Sequence, residues 1–169
     1  MSAPVVVRRA AMPADREFCY RVYAGTRAEE LAVVAEWTDA QREAFLRQQF
    51  EAQDAYYREH YTTAEFLVLE HEGQPVGRLY VDRWPGEIRL MDVALLPEAR
   101  GRGLGTVVLR ELQDEARAAA KPLRIHVERY NPALRLYERL GFRVLEDRGV
   151  YLFLEWNPAA QDAPAPPNA

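Results

Sequence analysis

The turn RGRGLGT at positions 100–106 constrains the fold more than any other feature of this sequence, because it places three glycines at alternate positions. An apolar strand-like segment ends just before it, near Leu96, and an amphipathic helical pattern begins near Thr106. Glycine adopts backbone conformations that are closed to other residues and lets the main chain approach a ligand closely. The free N–H groups of such a turn and of the following helix N-terminus suit an anionic group such as phosphate.

This turn matches neither of the two common phosphate-binding glycine motifs. The Gly-Lys-Ser/Thr element of a P-loop is missing, and the G-x-G-x-G spacing differs from the G-x-G-x-x-G of dinucleotide-binding folds. Arg100 and Arg102 add positive charge. From spacing alone, a glycine-rich turn with two solvated arginines is the alternative interpretation.

The first third of the chain has helical patterns. Thr26-x-x-Glu29 and Thr38-x-x-Gln41 both have the form of a capping box, in which a threonine and a glutamate or glutamine satisfy the first free N–H groups of a helix. They predict a short helix that begins at Thr26 and contains Leu31 and Val34, and a longer helix that begins at Thr38.

From Phe66 onward the pattern changes to strands, interrupted by two helices. Predicted strands are Phe66–Glu70, Val76–Asp82, Ile88–Leu96, a strand with Leu123, Ile125 and Val127, and a final hairpin of Phe142–Leu145 and Val150–Trp156. Helix Thr106–Ala120 follows the glycine turn, and a short helix after Asn131 ends at Gly141. This order predicts an α+β fold with helices against a mixed sheet.

Length and composition predict one domain over residues 1–156. A chain of 169 residues fits one compact core. Residues 157–169, rich in proline and alanine, are expected to form a flexible tail because they contain no bulky apolar residue to bury.

Charge and cysteine content exclude several classes of function. The net charge of −4 argues against charge-driven nucleic-acid binding, and no apolar run approaches the length of a membrane span. The apolar run Val5–Val7 is too short for a signal-peptide core. A lone Cys19 allows no internal disulfide, and no ligand set for zinc is present. We therefore expect a soluble cytoplasmic protein with no metal site, no nucleic-acid partner and no membrane partner.

Two further residues have ordinary structural explanations when taken alone. Asn131 precedes Pro132 and a helix, which is typical of an N-cap. Tyr137, on the same helix, has the pattern of a core aromatic residue with a satisfied hydroxyl.

Together these segments resemble the GNAT N-acetyltransferase superfamily. The segment Arg100-x-x-Gly103-x-Gly105 matches the family's Q/R-x-x-G-x-G/A signature, and Asn131–Phe142 is similar to its N-x-x-A-x-x-L-Y-x-x-L-G-F segment, with one residue of spacing different at the alanine. Asp92–Pro97 resembles the strand that leads into the family's pyrophosphate loop. The resemblance covers about Glu87–Trp156 and implies a mostly antiparallel twisted sheet of six to seven strands with about four helices.

The resemblance also implies a donor, acetyl-CoA, and a role for each matching residue. Backbone groups of Val93, Ala94 and Leu95 would hold the pantetheine arm and polarise the thioester carbonyl. The pyrophosphate would be held by Arg100, Gly101, Arg102, Gly103, Leu104, Gly105 and Thr106. Asn131 would hydrogen-bond the CoA arm, and Tyr137 would protonate the departing thiolate as general acid.

The general base stays open at this point. Many members of the family use a glutamate on the strand before the pyrophosphate loop, but the corresponding residue here is Arg89. Glu87, Asp92, His126, Glu128 or a water chain are the alternatives, and each of these side chains also suits a surface or structural role.

The acceptor and the assembly also stay open. The helices predicted in the first third of the chain contain six candidate acceptor-facing residues: Glu29, Glu30, Trp37, Tyr56, Tyr57 and Tyr61. Their carboxylates and aromatic rings could attract a cationic amine. The alternative is that these side chains are solvated or packed against the sheet. A longer acyl group would need a wider tunnel near Met91 and Leu95. The apolar segment Val150–Trp156 suits either a homodimer contact or a buried central strand.

The resemblance favours an N-acetyltransferase that acts on a primary amine of a small molecule or peptide by direct attack. The alternative is a non-catalytic acyl-CoA-binding or sensing module of the same fold.

Overall fold

A computed structural model describes residues 2–32 and 36–161. Within these ranges the strands are β1 (Val7–Ala10), β2 (Glu65–His71), β3 (Gln74–Arg83), β4 (Ile88–Leu95), β5 (Leu123–Glu128), β6 (Arg143–Arg148) and β7 (Tyr151–Trp156). The α-helices are α1 (Arg16–Ala32), α2 (Asp39–His60), α3 (Leu104–Ala119), α4 (Leu134–Arg139) and α5 (Pro158–Gln161).

The strands form one seven-stranded sheet in the order β1-β2-β3-β4-β5-β7-β6. β4 and β5 pair in parallel, whereas β1 with β2, β5 with β7, and β6 with β7 pair antiparallel. A parallel pair needs a crossover connection, and α3 supplies it between β4 and β5. The predicted α+β fold with a mixed, mostly antiparallel sheet is confirmed, with one more α-helix than the four or so expected.

The described residues fall into two compact units, each with its own buried side chains. The first unit comprises residues up to Tyr80 together with Asp92–Gly105, and the second comprises Val81–Met91 and residues from Thr106 onward. Buried side chains of the first unit include Val22, Phe50, Val68, Leu69 and Leu79. Those of the second include Val108, Leu112, Leu123, Ile125 and Leu154.

One of the two predicted capping boxes is present and the other is wrong. Thr38 Oγ1 accepts from Gln41 N at 3.1 Å, and Gln41 Oε1 accepts from Thr38 N at 2.8 Å, so α2 begins as predicted. Helix α1, in contrast, runs through Thr26 without interruption. The Thr26 hydroxyl donates to the Tyr23 carbonyl oxygen at 2.7 Å, a back-bond inside a helix. Val34, the other part of that prediction, lies outside the described residues.

The last strand lies inside the sheet, between β5 and the edge strand β6. Its Leu152, Leu154 and Trp156 side chains are buried, whereas Val150 and Tyr151 are exposed. A helix, α5, follows the predicted boundary at Trp156, so regular structure continues to Gln161 within the predicted tail. Residues 162–169 are outside the described ranges, and a flexible tail there stays a prediction.

Helices long and apolar enough to cross a membrane are absent from the described part of the chain.

The capping result predicts different effects for two threonine substitutions. Thr38→Ala removes the side-chain acceptor at the start of α2 and should lower the free energy of unfolding by about 1 kcal/mol. Thr26→Ala removes only a back-bond inside α1 and should change it by no more than a few tenths of a kcal/mol, since alanine favours the helix. Urea unfolding of both variants measures this; an equal loss in Thr26→Ala would contradict the continuous α1.

Candidate functional site

The glycine-rich turn leads from β4 into the N-terminus of α3. After a short 3₁₀ turn at Pro97–Ala99, Gly101 and Gly103 have φ angles of +77° and +78°, in the left-handed region that favours glycine. A Cβ atom at either position would meet no atom within 4 Å, so glycine is needed here for the backbone conformation and not for space. Leu104, directly after Gly103, is buried and begins α3.

The turn presents main-chain donors to solvent. Gly101, Arg102 and Gly103 are exposed, and Gly105 and Thr106 are half-buried in the first turn of α3. The first four N–H groups of an α-helix have no partner within it, and the helix dipole adds partial positive charge there. The arrangement can therefore hold an anion with backbone atoms.

The two arginines of the turn have different surroundings. Arg100 donates from Nη2 to the Gly25 carbonyl oxygen and from Nε to the Leu95 carbonyl oxygen, both at 3.3 Å. Arg102 is exposed and makes no ion pair with any residue in the described ranges. Arg100 thus connects the turn to α1 and β4, and Arg102 is the arginine whose charge is available to a ligand.

Gly25 in α1 also contacts this turn, and the sequence analysis did not single it out. A Cβ atom at Gly25 would lie 2.9 Å from Pro97 Cδ, so only glycine allows this helix and the 3₁₀ turn to pack as they do. The sequence signal was a glycine inside a helical pattern, which has a packing reason more often than a turn reason.

Val93, Ala94 and Leu95 form the end of β4, and β3 holds them closely. Leu96 N donates to the Val76 carbonyl oxygen at 2.8 Å. A Cβ atom at Gly77 would overlap the Ala94 carbonyl oxygen and lie 2.8 Å from Leu95 Cδ2. Gly77 is therefore required for the approach of the two strands, and it too was missed by the sequence analysis.

Asn131 and Tyr137 lie in the second unit. Asn131 Oδ1 accepts from Ala133 N at 2.8 Å and so closes the turn before α4, which begins at Leu134. Tyr137 is 3% exposed, and its ring packs edge-on against Phe142 at 5.3 Å between centroids. The predicted N-cap role of Asn131 is therefore wrong, because the N-cap position of α4 is Ala133, whereas the buried ring of Tyr137 fits the predicted core aromatic residue.

Of the predicted site residues, the structure brings Val93–Leu95 and Arg100–Gly105 together in the first unit. Thr106, Asn131 and Tyr137 belong to the second unit.

Two candidate bases are already engaged by arginines. Glu87 forms ion pairs with Arg89 at 2.8 Å and Arg124 at 3.2 Å, and its side chain is largely buried. Asp92 forms an ion pair with Arg78. Each carboxylate therefore already accepts hydrogen bonds from a guanidinium group.

Arg89 is engaged in packing contacts and an ion pair. Its guanidinium lies 4.8 Å from the centroid of the Trp84 ring and 5.0 Å from that of Phe153, in addition to its ion pair with Glu87. Arg89, which the resemblance places where many members of the family have a glutamate, is therefore a packed cation.

His126 on β5 is held in its neutral form. Nη1 of Arg148 lies 2.8 Å from His126 Nε2, and because arginine only donates, Nε2 accepts and the ring proton is on Nδ1. The ring stacks on Phe153 at 4.5 Å. Burial first, and then the charges of Arg89 and Arg148, lower the pKa of His126. Glu128, the remaining candidate, is half-buried on the same strand.

The aromatic residues predicted to face the acceptor form two separate groups. Tyr56, Tyr57 and Tyr61 cluster near the end of α2, with ring centroids 5.9–6.4 Å apart. Trp37 packs instead on Phe45, near the start of α2, at 5.3 Å. Eleven residues of helix, about 16 Å, separate Phe45 from Tyr56. The side chains of Glu29 and Glu30 lie outside what the structure describes.

Within residues 2–32 and 36–161, no three His, Cys, Asp or Glu side chains lie close enough together to hold a metal ion.

With the fold and the turn established, the comparisons with known proteins define the class. The model of the acetyltransferase (GNAT) family matches residues 19–142, which is most of the chain. The chain belongs to the acetyltransferase (GNAT) family.

Solved structures of acetyltransferases have the same fold. The PaiA N-acetyltransferase of Thermoplasma acidophilum, solved in complex with coenzyme A, is 17% identical, with 90% of this chain and 99% of that chain covered and a TM-score of 0.69. A histone acetyltransferase HPA2 and related acetyltransferase of Corynebacterium glutamicum is 24% identical over 99% and 100%, with a TM-score of 0.62. The ribosomal-protein-S18-alanine N-acetyltransferase of Escherichia coli is 17% identical over 90% and 94%, at 0.58.

The surroundings of His126 predict a measurable pH dependence. Its folded-state pKa lies below 6.5, so the folded protein binds fewer protons than the unfolded chain between that pKa and 6.5. The contribution of His126 to stability is therefore complete above pH 6.5 and falls as pH drops through this window. Two-dimensional NMR titration gives the pKa directly. Arg148→Met should raise it, and an unchanged or lower value would contradict the assigned contact.

Proposed function

We propose that this protein is an acetyl-CoA-dependent N-acetyltransferase that transfers an acetyl group to a primary amine of a small molecule or peptide. The observation that carries the proposal is the turn from Gly101 to Thr106, which offers main-chain N–H groups at the start of a 16-residue helix in a chain of the acetyltransferase (GNAT) family. We further propose a cytoplasmic location; a homodimer stays a prediction.

The turn would bind the pyrophosphate of acetyl-CoA. Its exposed glycines leave room beside the main chain, and the N-terminus of α3 adds partial positive charge. Arg102 would contribute a side-chain charge, whereas Arg100 would act by keeping the turn attached to α1 and β4.

The end of β4 would orient the donor. Backbone groups of Val93, Ala94 and Leu95 would hold the pantetheine arm, and an N–H group there would stabilise the negative charge that develops on the thioester oxygen. Such a donor accelerates acyl transfer only when it is aimed in advance at the developing charge. Alignment of the amine with the carbonyl would supply much of the remaining rate.

Tyr137 would protonate the departing thiolate, and Asn131 would hydrogen-bond the CoA arm. A phenol of ordinary pKa near 10 is protonated at neutral pH and can donate its proton.

The amine must lose a proton before it attacks. Glu87 and Asp92 already accept hydrogen bonds from guanidinium groups, which would have to be released before either carboxylate could take the proton. His126 is neutral, but its Nε2 lone pair is occupied by Arg148, which would have to move first. A water chain is the simplest acceptor that uses none of these contacts. Arg89 favours the second candidate function, an acyl-CoA-binding or sensing module without catalytic activity, because it stands where the resemblance leads us to expect a carboxylate base.

A pair of glycine variants tests the donor site. Acetyl-CoA at a hundredfold excess over its Kd should stabilise the native protein by about 2.7 kcal/mol. Gly103→Ala strains a positive-φ position and should weaken acetyl-CoA binding. Gly149→Ala, at φ +82° in the β6–β7 turn with nothing within 4 Å, introduces the same strain far along the chain and should leave affinity unchanged. Thermal-shift titrations with CoA, acetyl-CoA and longer acyl-CoAs measure this and report the acyl length.

No shift of the wild-type protein with any CoA compound would overturn the donor assignment. If Gly103→Ala and Gly149→Ala lost the same affinity, the loss would come from general destabilisation of the protein and not from a change in the glycine turn.

A tyrosine variant separates the enzyme from the binding module. Tyr137→Phe removes the proposed acid, so turnover with a panel of primary amines should fall by about 10²- to 10⁴-fold while acetyl-CoA affinity is kept. Release of CoA thiol measures turnover. A wild-type protein that binds acetyl-CoA but releases no thiol with any amine would favour the module.

A further inference from the structure

One cation, the guanidinium of Arg78 on β3, is buried in the first unit. The residue is 1% exposed. Nη2 donates to Gln53 Oε1 at 3.0 Å and to the Asp92 carboxylate, and Nη1 lies 3.5 Å from the Cys19 carbonyl oxygen. The guanidinium therefore reaches α1, α2 and β4 from a single side chain.

Asp92 is the carboxylate that makes this burial tolerable. A buried charge without a partner costs several kcal/mol, and a partner repays that cost only with good geometry. The guanidinium carbon also lies 4.8 Å from the centroid of the Tyr80 ring, which adds a cation–π contact. Nε has no hydrogen-bond partner among the described residues, so the Asp92 contact is the main compensation.

The partner carboxylate sits at a particular point of β4. Asp92 directly precedes Val93–Leu95, the segment proposed above to present backbone groups to the thioester. Three consecutive residues of β3 contact β4 here: Val76 accepts from Leu96 N, Gly77 lies beneath the Ala94 carbonyl oxygen, and Arg78 pairs with Asp92. The segment is thus fixed at both ends and in the middle.

We propose that Arg78 is a positioning residue that acts through Asp92 to aim the β4 backbone at the thioester carbonyl. The inference rests on the proposed function, because it takes from it the role of Val93–Leu95. The ion pair sets the orientation of the strand at the start of this segment, and Gly77 sets its distance from β3. Arg78 itself touches no substrate.

The test measures polarisation of the carbonyl and needs no acceptor. Isotope-edited infrared spectroscopy with carbonyl-¹³C acetyl-CoA records the stretching frequency of the bound thioester, which shifts to lower frequency when an N–H group donates to its oxygen. Arg78→Met keeps an unbranched apolar stem and removes the guanidinium. We expect its bound thioester to show a clearly smaller shift, with acetyl-CoA affinity within about twofold of wild type because the pyrophosphate turn is untouched.

Two further variants separate positioning from folding. Arg78→Met combined with Asp92→Asn removes both charges, which commonly restores stability when a buried pair is broken. It should fold and still show the reduced shift. Arg78→Lys keeps the charge opposite Asp92 and should recover part of the shift. The control is Arg9→Met, which removes the two hydrogen bonds that Arg9, on β1, donates to Asp15 and should leave the shift unchanged.

The outcomes are distinct. A full wild-type shift in folded Arg78→Met, or in the double variant, would overturn the positioning role. A reduced shift in Arg9→Met as well would assign the effect to general loosening of the unit and would also overturn it. Failure of the wild-type protein to bind acetyl-CoA would overturn the proposed function instead. Once an acceptor is known, turnover in Arg78→Met should fall by about 10- to 100-fold with little change in KM for acetyl-CoA.

Discussion

The ion pair between Arg78 and Asp92 is the interaction on which the arrangement of the first unit depends. A guanidinium that is only 1% exposed is costly to bury unless the surrounding groups accept its hydrogen bonds and balance its charge. The Arg78 guanidinium donates hydrogen bonds to the side-chain oxygen of Gln53 on α2, the carbonyl oxygen of Cys19 on α1 and the carboxylate of Asp92 on β4. An apolar side chain there would pack against the same elements without fixing their directions, since the hydrophobic effect is non-directional.

The candidate site uses main-chain atoms more than side chains. Gly101 and Gly103 matter for their φ angles, and Gly77 matters because it has no Cβ atom. A site built from N–H and carbonyl groups leaves most neighbouring side chains unconstrained. This fits a fold shared with acetyltransferases at only 17–24% identity. Acceptor recognition depends on the side chains that differ between these proteins, so it can vary while the fold is kept.

Features set by nearby residues could be predicted from the sequence, and features set by distant ones could not. The glycine turn and the capping box at Thr38 each lie within a few residues of chain, so their patterns are local. Thr26 has the same local pattern, but it lies within α1, where the helix already satisfies the backbone that a cap would serve. Gly77 and the partner of Arg78 depend on how β3 meets β4, which no local spacing encodes.

The contacts of Arg100 and Gly25 have a consequence for how a protein like this can diversify. Arg100 donates hydrogen bonds to the carbonyl oxygens of Leu95 and Gly25. A side chain at position 25 would clash with Pro97. The middle of α1, around Gly25, is therefore packed and hydrogen-bonded directly against the glycine turn. A helix from a relative that replaced α1 would need a glycine at position 25 and a carbonyl oxygen there that accepts from Arg100. Without both, the glycine turn would be displaced. A substitution in this part of α1 is therefore expected to require a matching change in the glycine turn.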